Sequence, residues 1–74
     1  MTRLPSESGE RLVRALKRAS FVQLRQKGSH VSLEKRIKKT LRTVVSMHST
    51  LAKGTLSDIL KQAALTVDEL IELL

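Results

Sequence analysis

A chain with no cysteine, no tryptophan, no tyrosine and a single phenylalanine must build its interior from aliphatic side chains. No disulfide can staple it. Its two histidines, His30 and His48, with scattered carboxylates offer no zinc-type ligand cluster, so neither usual support of a mini-protein is available. Packing has to supply the stability, with the help of any partner that binds. In 74 residues the core takes most of the chain, which predicts one domain over residues 1–74 with room for one active surface. Phe21 as the sole aromatic argues against reading RNA bases by stacking.

The formal net charge of +7 makes a polyanion the natural partner class, because each neutralised phosphate releases counterions and gives an affinity that falls steeply with salt. Nucleic acid and anionic membrane both satisfy that. No stretch approaches the roughly 18 consecutive apolar residues of a spanning helix, and Met1 to Gly9 lacks the apolar centre of a signal peptide. The expectation is a cytoplasmic protein with no membrane partner.

Ser8 precedes Gly9, Glu10 and a run in which Leu12, Val13, Leu16 and Ala19 share a helical face that Arg11, Arg14, Lys17 and Arg18 avoid. This predicts a first amphipathic helix. From Phe21 to Lys27 the pattern alternates, with Val22 and Leu24 on one side and Gln23 and Arg25 on the other, before Gly28-Ser29 breaks the run; the reading is a strand and a turn. His30 to His48 supports two readings. Val31 and Leu33 alternate with His30, Ser32 and Glu34 as in a strand, while Leu33, Ile37, Leu41 and Val44 sit near helical spacing. Taken in isolation, Leu33 to Leu41 leans towards helix, and Thr40, Thr43, Val44 and Val45 favour a strand after Leu41. Gly54 ends a loop, and Thr55 with Asp58 forms a start signal for a helix of about two turns. Thr66 with Glu69 forms a second, with Leu65 and Leu70 placed as a hydrophobic staple.

Three stretches together resemble the HicA family of mRNA interferases: Phe21 to Val31 (FVQLRQKGSHV), Val45 to Leu60 (VSMHSTLAKGTLSDIL) and Leu65 to Leu74 (LTVDELIELL). They make up half the chain, in the family's order and spacing. The resemblance implies an α+β fold like a double-stranded RNA-binding domain: an α-β-β-β-α order, an antiparallel three-stranded sheet and helices on one face. By analogy it places a hairpin between about His30 and Met47. It further implies the toxin of a type II toxin–antitoxin system acting in stress response, an endoribonuclease that cleaves mRNA without a metal or small-molecule cofactor, and a HicB-like antitoxin as partner.

The sequence departs from the family pattern at three places. Ser20 stands where the family has glycine after the first helix, which makes a left-handed cap there uncomfortable. Ser46 stands where the family has proline. Lys35-Arg36-Ile37-Lys38-Lys39-Thr40 replaces a Pro-Asp-Gly type of turn; without glycine or asparagine a two-residue turn is disfavoured, and a longer, mobile basic loop is expected.

Cleaving RNA without a metal needs a group to take the 2′-hydroxyl proton, a group to protonate the leaving oxygen, and cations for the charged transition state. Imidazole suits both proton transfers because its ordinary pKa is near ~6.5. His30 follows the Gly28-Ser29 turn at the start of a strand. If Val31 and Leu33 face the core, then His30, Ser32 and Glu34 face the open side of the sheet. Gly28 permits the tight turn and leaves the entrance free of side chain, and Ser29 is placed to donate to a phosphate oxygen. Arg25 and Lys27 supply charge stabilisation, and His48 is the nearest candidate for a second proton-transfer group, against the equally weighted reading that it is a loop histidine bonded to nearby backbone. Lys35, Arg36, Lys38, Lys39 and Arg42 are the further phosphate contacts, against the plainer reading that they solvate an exposed loop.

Two other functions compete. A non-catalytic module would hold double-stranded RNA by shape and phosphate contacts. Alternatively, Thr55 to Leu74 would form a helix-turn-helix for the DNA major groove, but its last helix carries Asp68, Glu69 and Glu72 with no lysine or arginine, and acids repel phosphate.

Overall fold

The computed structural model describes residues 4–74; in chain order they form α1 (Gly9–Arg18), β1 (Val22–Lys27), β2 (His30–Arg36), β3 (Thr40–Ser46), α2 (Lys53–Gln62) and α3 (Val67–Leu73). The α+β class and the helix, three-strand, helix order match expectation. The part of the leader expectation that concerns Met1, Thr2 and Arg3 lies outside the described residues. Among those described, no helix is long and apolar enough to cross a membrane.

Local signals account for most helix ends. Ser8 caps α1 by accepting from the backbone N–H of Arg11 at 3.1 Å. At the other end Ser20 N–H bonds to Lys17 O and Phe21 N–H to Leu16 O, the paired bonds of a Schellman closure, which force Ser20 to φ +75°. Ala64 does the same after α2, at φ +56°. Thr66 and Glu69 form the expected reciprocal box, with Glu69 N–H donating to Thr66 Oγ1 and Thr66 N–H to Glu69 Oε1.

Two expectations about the C-terminal half need correction. α2 runs for ten residues from Lys53, so Lys53, Gly54 and Thr55 belong to its first turn and Thr55 does not cap it; Ala52 is the cap residue and offers no side-chain bond. Tertiary ties explain the early start. Lys53 Nζ donates to Leu4 O at 2.7 Å and to Ser6 Oγ at 3.3 Å, and Leu51 N–H donates to Glu7 O. The N-terminal leg thus ties down the approach to α2 where no side-chain cap is present.

The helical lean over Leu33 to Leu41 is overturned. β2 and β3 form an antiparallel hairpin in unbroken register, from His30 opposite Ser46 to Arg36 opposite Thr40. Val31, Leu33, Leu41 and Val45 are buried on one face of it. A helix over Leu33 to Leu41 would break this alternation. Lys35, Arg36 and Thr40 lie within the strands, and the connection is only residues 37–39, shorter than expected. It closes through Ile37 N–H donating to Lys39 O at 3.1 Å.

β1 completes the sheet, in the order β1-β2-β3, with a bulge between Gln23 and Arg25. The bulge shifts the alternation by one residue, so Val22 and Arg25 lie on the same face, not on opposite faces as strict alternation had it. The three helices cover the other face, and Leu12, Leu16, Phe21, Val31, Leu33, Val45, Leu56 and Leu70 meet in one core. Thr43 is buried on that face and donates to Gln62 Oε1 at 2.7 Å. Arg18 closes the far end by donating to Leu73 O and Leu74 O, a cation at the carbonyl end of α3.

Candidate nucleic-acid interface

The register defines which side chains share the uncovered face. Since residues directly opposite on neighbouring strands point the same way, the rows are Lys27, His30 and Ser46; then Arg25, Ser32 and Val44; then Val22, Glu34 and Arg42; then Arg36 and Thr40. Four cations and a single carboxylate occupy this surface. His30 is exposed on it, as alternation from the buried Val31 and Leu33 required.

The turn before His30 works as Gly28 predicted. Gly28 has φ +59° with nothing within 4 Å of a Cβ built on it, and Ser29 is not at positive φ, the pattern of a type II′ hairpin turn. Ser29 O accepts from Met47 N–H at 2.6 Å, which ties the turn to the end of β3. His30 is thereby held between Lys27 and Ser46, with Cβ atoms of opposed residues about 5 Å apart. His48 lies two residues beyond Ser46 at the same end of the sheet. It is exposed, and its carbonyl accepts from Gly9 N–H at 2.9 Å, so its backbone is fixed by the start of α1.

The expected phosphate contacts divide by location. Arg25, Lys27, Arg36 and Arg42 share the open face, Ser29 sits in the adjoining turn, and Lys38 and Lys39 sit at the hairpin tip. Lys35 does not join them. It falls on the helix-covered face, half-buried, with Nζ 5.9 Å from the centre of the Phe21 ring. The alternation that puts Glu34 and Arg36 on the open face necessarily turns Lys35 to the other.

Sequence reasoning placed Glu34 on the open face but missed its partners. Arg36 Nε donates to Oε1 and Arg42 Nε to Oε2, both at 2.8 Å, and the Glu34 side chain is only 8% exposed although it lies on a solvent-facing surface. The hydrogen bond from Arg36 holds its carboxyl below the usual glutamate range; burial works against this, and the Arg42 hydrogen bond and both guanidinium charges work with it. The Arg36 partnership was readable from i, i+2 spacing on a strand, whereas the Arg42 partnership needed the hairpin register.

Glu7 is a second buried carboxylate, 5% exposed at its side chain, with Arg11 Nε at 3.4 Å. Among the described residues no group of three or more His, Asp or Glu side chains is placed to hold a metal ion.

A small α+β domain with helices on one sheet face and an exposed histidine among cations on the other defines a class of compact basic proteins suited to a polyanionic ligand. A family model described as the HicA toxin of bacterial toxin-antitoxin systems matches residues 9–65, and the chain belongs to that family. It is accordingly a toxin with an antitoxin as its counterpart. No curated protein matches it.

Proposed function

We propose that this toxin is an endoribonuclease that cleaves mRNA at the open sheet face, with His30 as the catalytic residue. The observation that carries the reading is an exposed imidazole in one row with Lys27 and Ser46, on a surface that also presents Arg25, Arg36 and Arg42. His30 takes the proton from the ribose 2′-hydroxyl as that oxygen bonds to phosphorus; the bond from phosphorus to the 5′ oxygen breaks, and the leaving oxygen receives a proton. His48, two residues beyond the end of β3, is the candidate for that second transfer. Lys27 and Arg25 stabilise the negative charge that builds on the phosphoryl oxygens, and Ser29 donates to one of them. The chemistry uses proton transfer and fixed cations, so the reading includes no metal or small-molecule cofactor. A HicB-like antitoxin presenting acidic groups would neutralise the same surface, and the site of action would be the cytoplasm, where mRNA is.

Purified protein incubated with RNA in EDTA tests this. Native protein should cut, and His30→Ala should lower the rate by about 10²- to 10⁴-fold. RNA left intact by the native chain refutes the nuclease reading in favour of a binding module. A His30→Ala variant that cuts at the native rate would move the chemistry to another residue.

A further inference from the structure

Glu34 is the only acidic side chain on the open sheet face among the described residues, and the geometry gives it a task beyond balancing charge. Each of its oxygens takes one guanidinium, and each guanidinium uses only its Nε for the contact. A guanidinium has five N–H donors in a planar fork, so four per arginine remain on the terminal nitrogens. Among the described residues neither arginine makes another hydrogen bond, and their side chains stay 77% and 72% exposed while the carboxylate between them is covered. Two cations against one anion leave the cluster at +1. An exposed ion pair by itself adds little stability, but a carboxylate that binds two guanidiniums by their inner edges turns their outer edges to solvent in a fixed orientation.

The cluster lies on the His30 face, four residues along β2, which at a strand rise of about 3.3 Å places it about 13 Å away. That is too far for the phosphate being cut at His30. It reaches a phosphate a few linkages along the strand from the one being cut. Beside it opens a recess of about 450 Å³ lined by Ser20, Val22, Leu24, Glu34, Lys35 and Arg36, which leaves room for the nucleoside attached to a phosphate held there.

We propose that Glu34 is a positioning residue that holds Arg36 and Arg42 as a fork for a non-scissile phosphate of the RNA strand. This rests on reading the open face as the RNA surface. Guanidinium forks pair with phosphate through two parallel hydrogen bonds, and pre-orienting them removes the ordering cost from the binding step. The fork fixes the register of the strand, so that one particular linkage meets His30.

Charge counting and the fork make opposite predictions for Glu34→Gln. Removing a carboxylate raises the net charge by one, which by itself tightens binding to RNA. Loss of the orienting group should instead weaken it about tenfold. The measurement is fluorescence anisotropy with a labelled eight-nucleotide 2′-O-methyl RNA, which binds without being cut. Arg36→Lys and Arg42→Lys keep both the charge and Glu34, and should also weaken binding severalfold. Native or tighter affinity in Glu34→Gln overturns the proposal, and so does native affinity in both arginine variants.

A methylphosphonate scan locates the phosphate and guards against a misfolded hairpin. A neutral linkage introduced at each position in turn should carry its largest penalty, away from the cleavage position, at one linkage two to four nucleotides along, and Arg42→Lys should shrink that penalty specifically. A profile that is the same for native protein and Arg42→Lys overturns the fork. With a cleavable RNA, Glu34→Gln should raise KM more than it lowers kcat. If native protein cuts no RNA but shows the linkage-specific penalty, the fork stands and the nuclease reading fails; if it binds no RNA, both fail.

Discussion

Gly9, in the first turn of α1, lies against the carbonyl oxygen of Ser46 at the end of β3. A Cβ on Gly9 would stand 2.8 Å from Met47 Cα and closer still to Ser46 O, a separation no side-chain rearrangement can relieve because the obstacle is backbone. The contact sets the distance between the start of α1 and the strand end that carries the partner of His30. Helix propensity alone says that Gly9→Ala stabilises, by up to ~1 kcal/mol. The clash should win. We expect a net loss of about 1–3 kcal/mol, read as a lower urea midpoint, together with shifted NMR resonances for Ser46 and His30. A midpoint at or above the native value would show that the strand end yields freely.

Ser20 and Ala64 each occupy a left-handed conformation that glycine adopts without penalty, at φ +75° and +56°. A non-glycine residue there costs about 1–2 kcal/mol. Glycine also frees the unfolded chain, which takes back about 0.4–1 kcal/mol. Ser20→Gly and Ala64→Gly should therefore each raise stability by up to about 1.6 kcal/mol, and because they close different helices the gains should add. Thermal unfolding of the two single variants and the double decides this; a lower melting temperature for either single variant contradicts it.

Acid should weaken the fold through Glu34. Its carboxyl is held below the ordinary value of 4.5 in the folded state, chiefly by Arg36, so the unfolded chain takes up a proton at a higher pH than the folded one does. The contribution of this group is therefore complete above about pH 4.5 and fades as the pH falls through the lowered folded value. In denaturant titrations from pH 7 to pH 3, Glu34→Gln should flatten the acid limb of the stability profile. If the variant and native profiles run parallel below pH 4.5, Glu34 is not a source of the acid sensitivity.

Elements whose hydrogen bonds close within a few residues were legible. Ser8 to Arg11, Thr66 to Glu69 and the Gly28-Ser29 turn need only their own neighbours, and the structure contains all three. The faces of α1 followed from the spacing of Leu12, Val13 and Leu16, which are buried as the pattern requires. The position of His30 on the open face followed from alternation once Val31 and Leu33 were taken as core.

Other features depended on parts of the chain that local pattern does not connect. Leu33 to Leu41 satisfies helix and strand periods at once, and the pairing of residues 30–36 with 40–46 resolves it by burying Val31, Leu33, Leu41 and Val45 together. The bulge at Leu24 moves Val22 onto the face that Arg25 shares with His30, and no residue in β1 announces it. α2 begins at Lys53 because Lys53 reaches back to Leu4 and Ser6.

What this sequence determined by itself is its helix ends, its tight turn, an aliphatic core and a large excess of positive charge, since capping bonds, backbone φ preferences and composition act over a few residues or none. Which cations stand beside His30, which one turns away onto Phe21, and which two are gathered by Glu34 were decided only when three strands paired. A strand shows a side chain to one face or the other according to register, and register is chosen by the burial of the whole sheet against its helices.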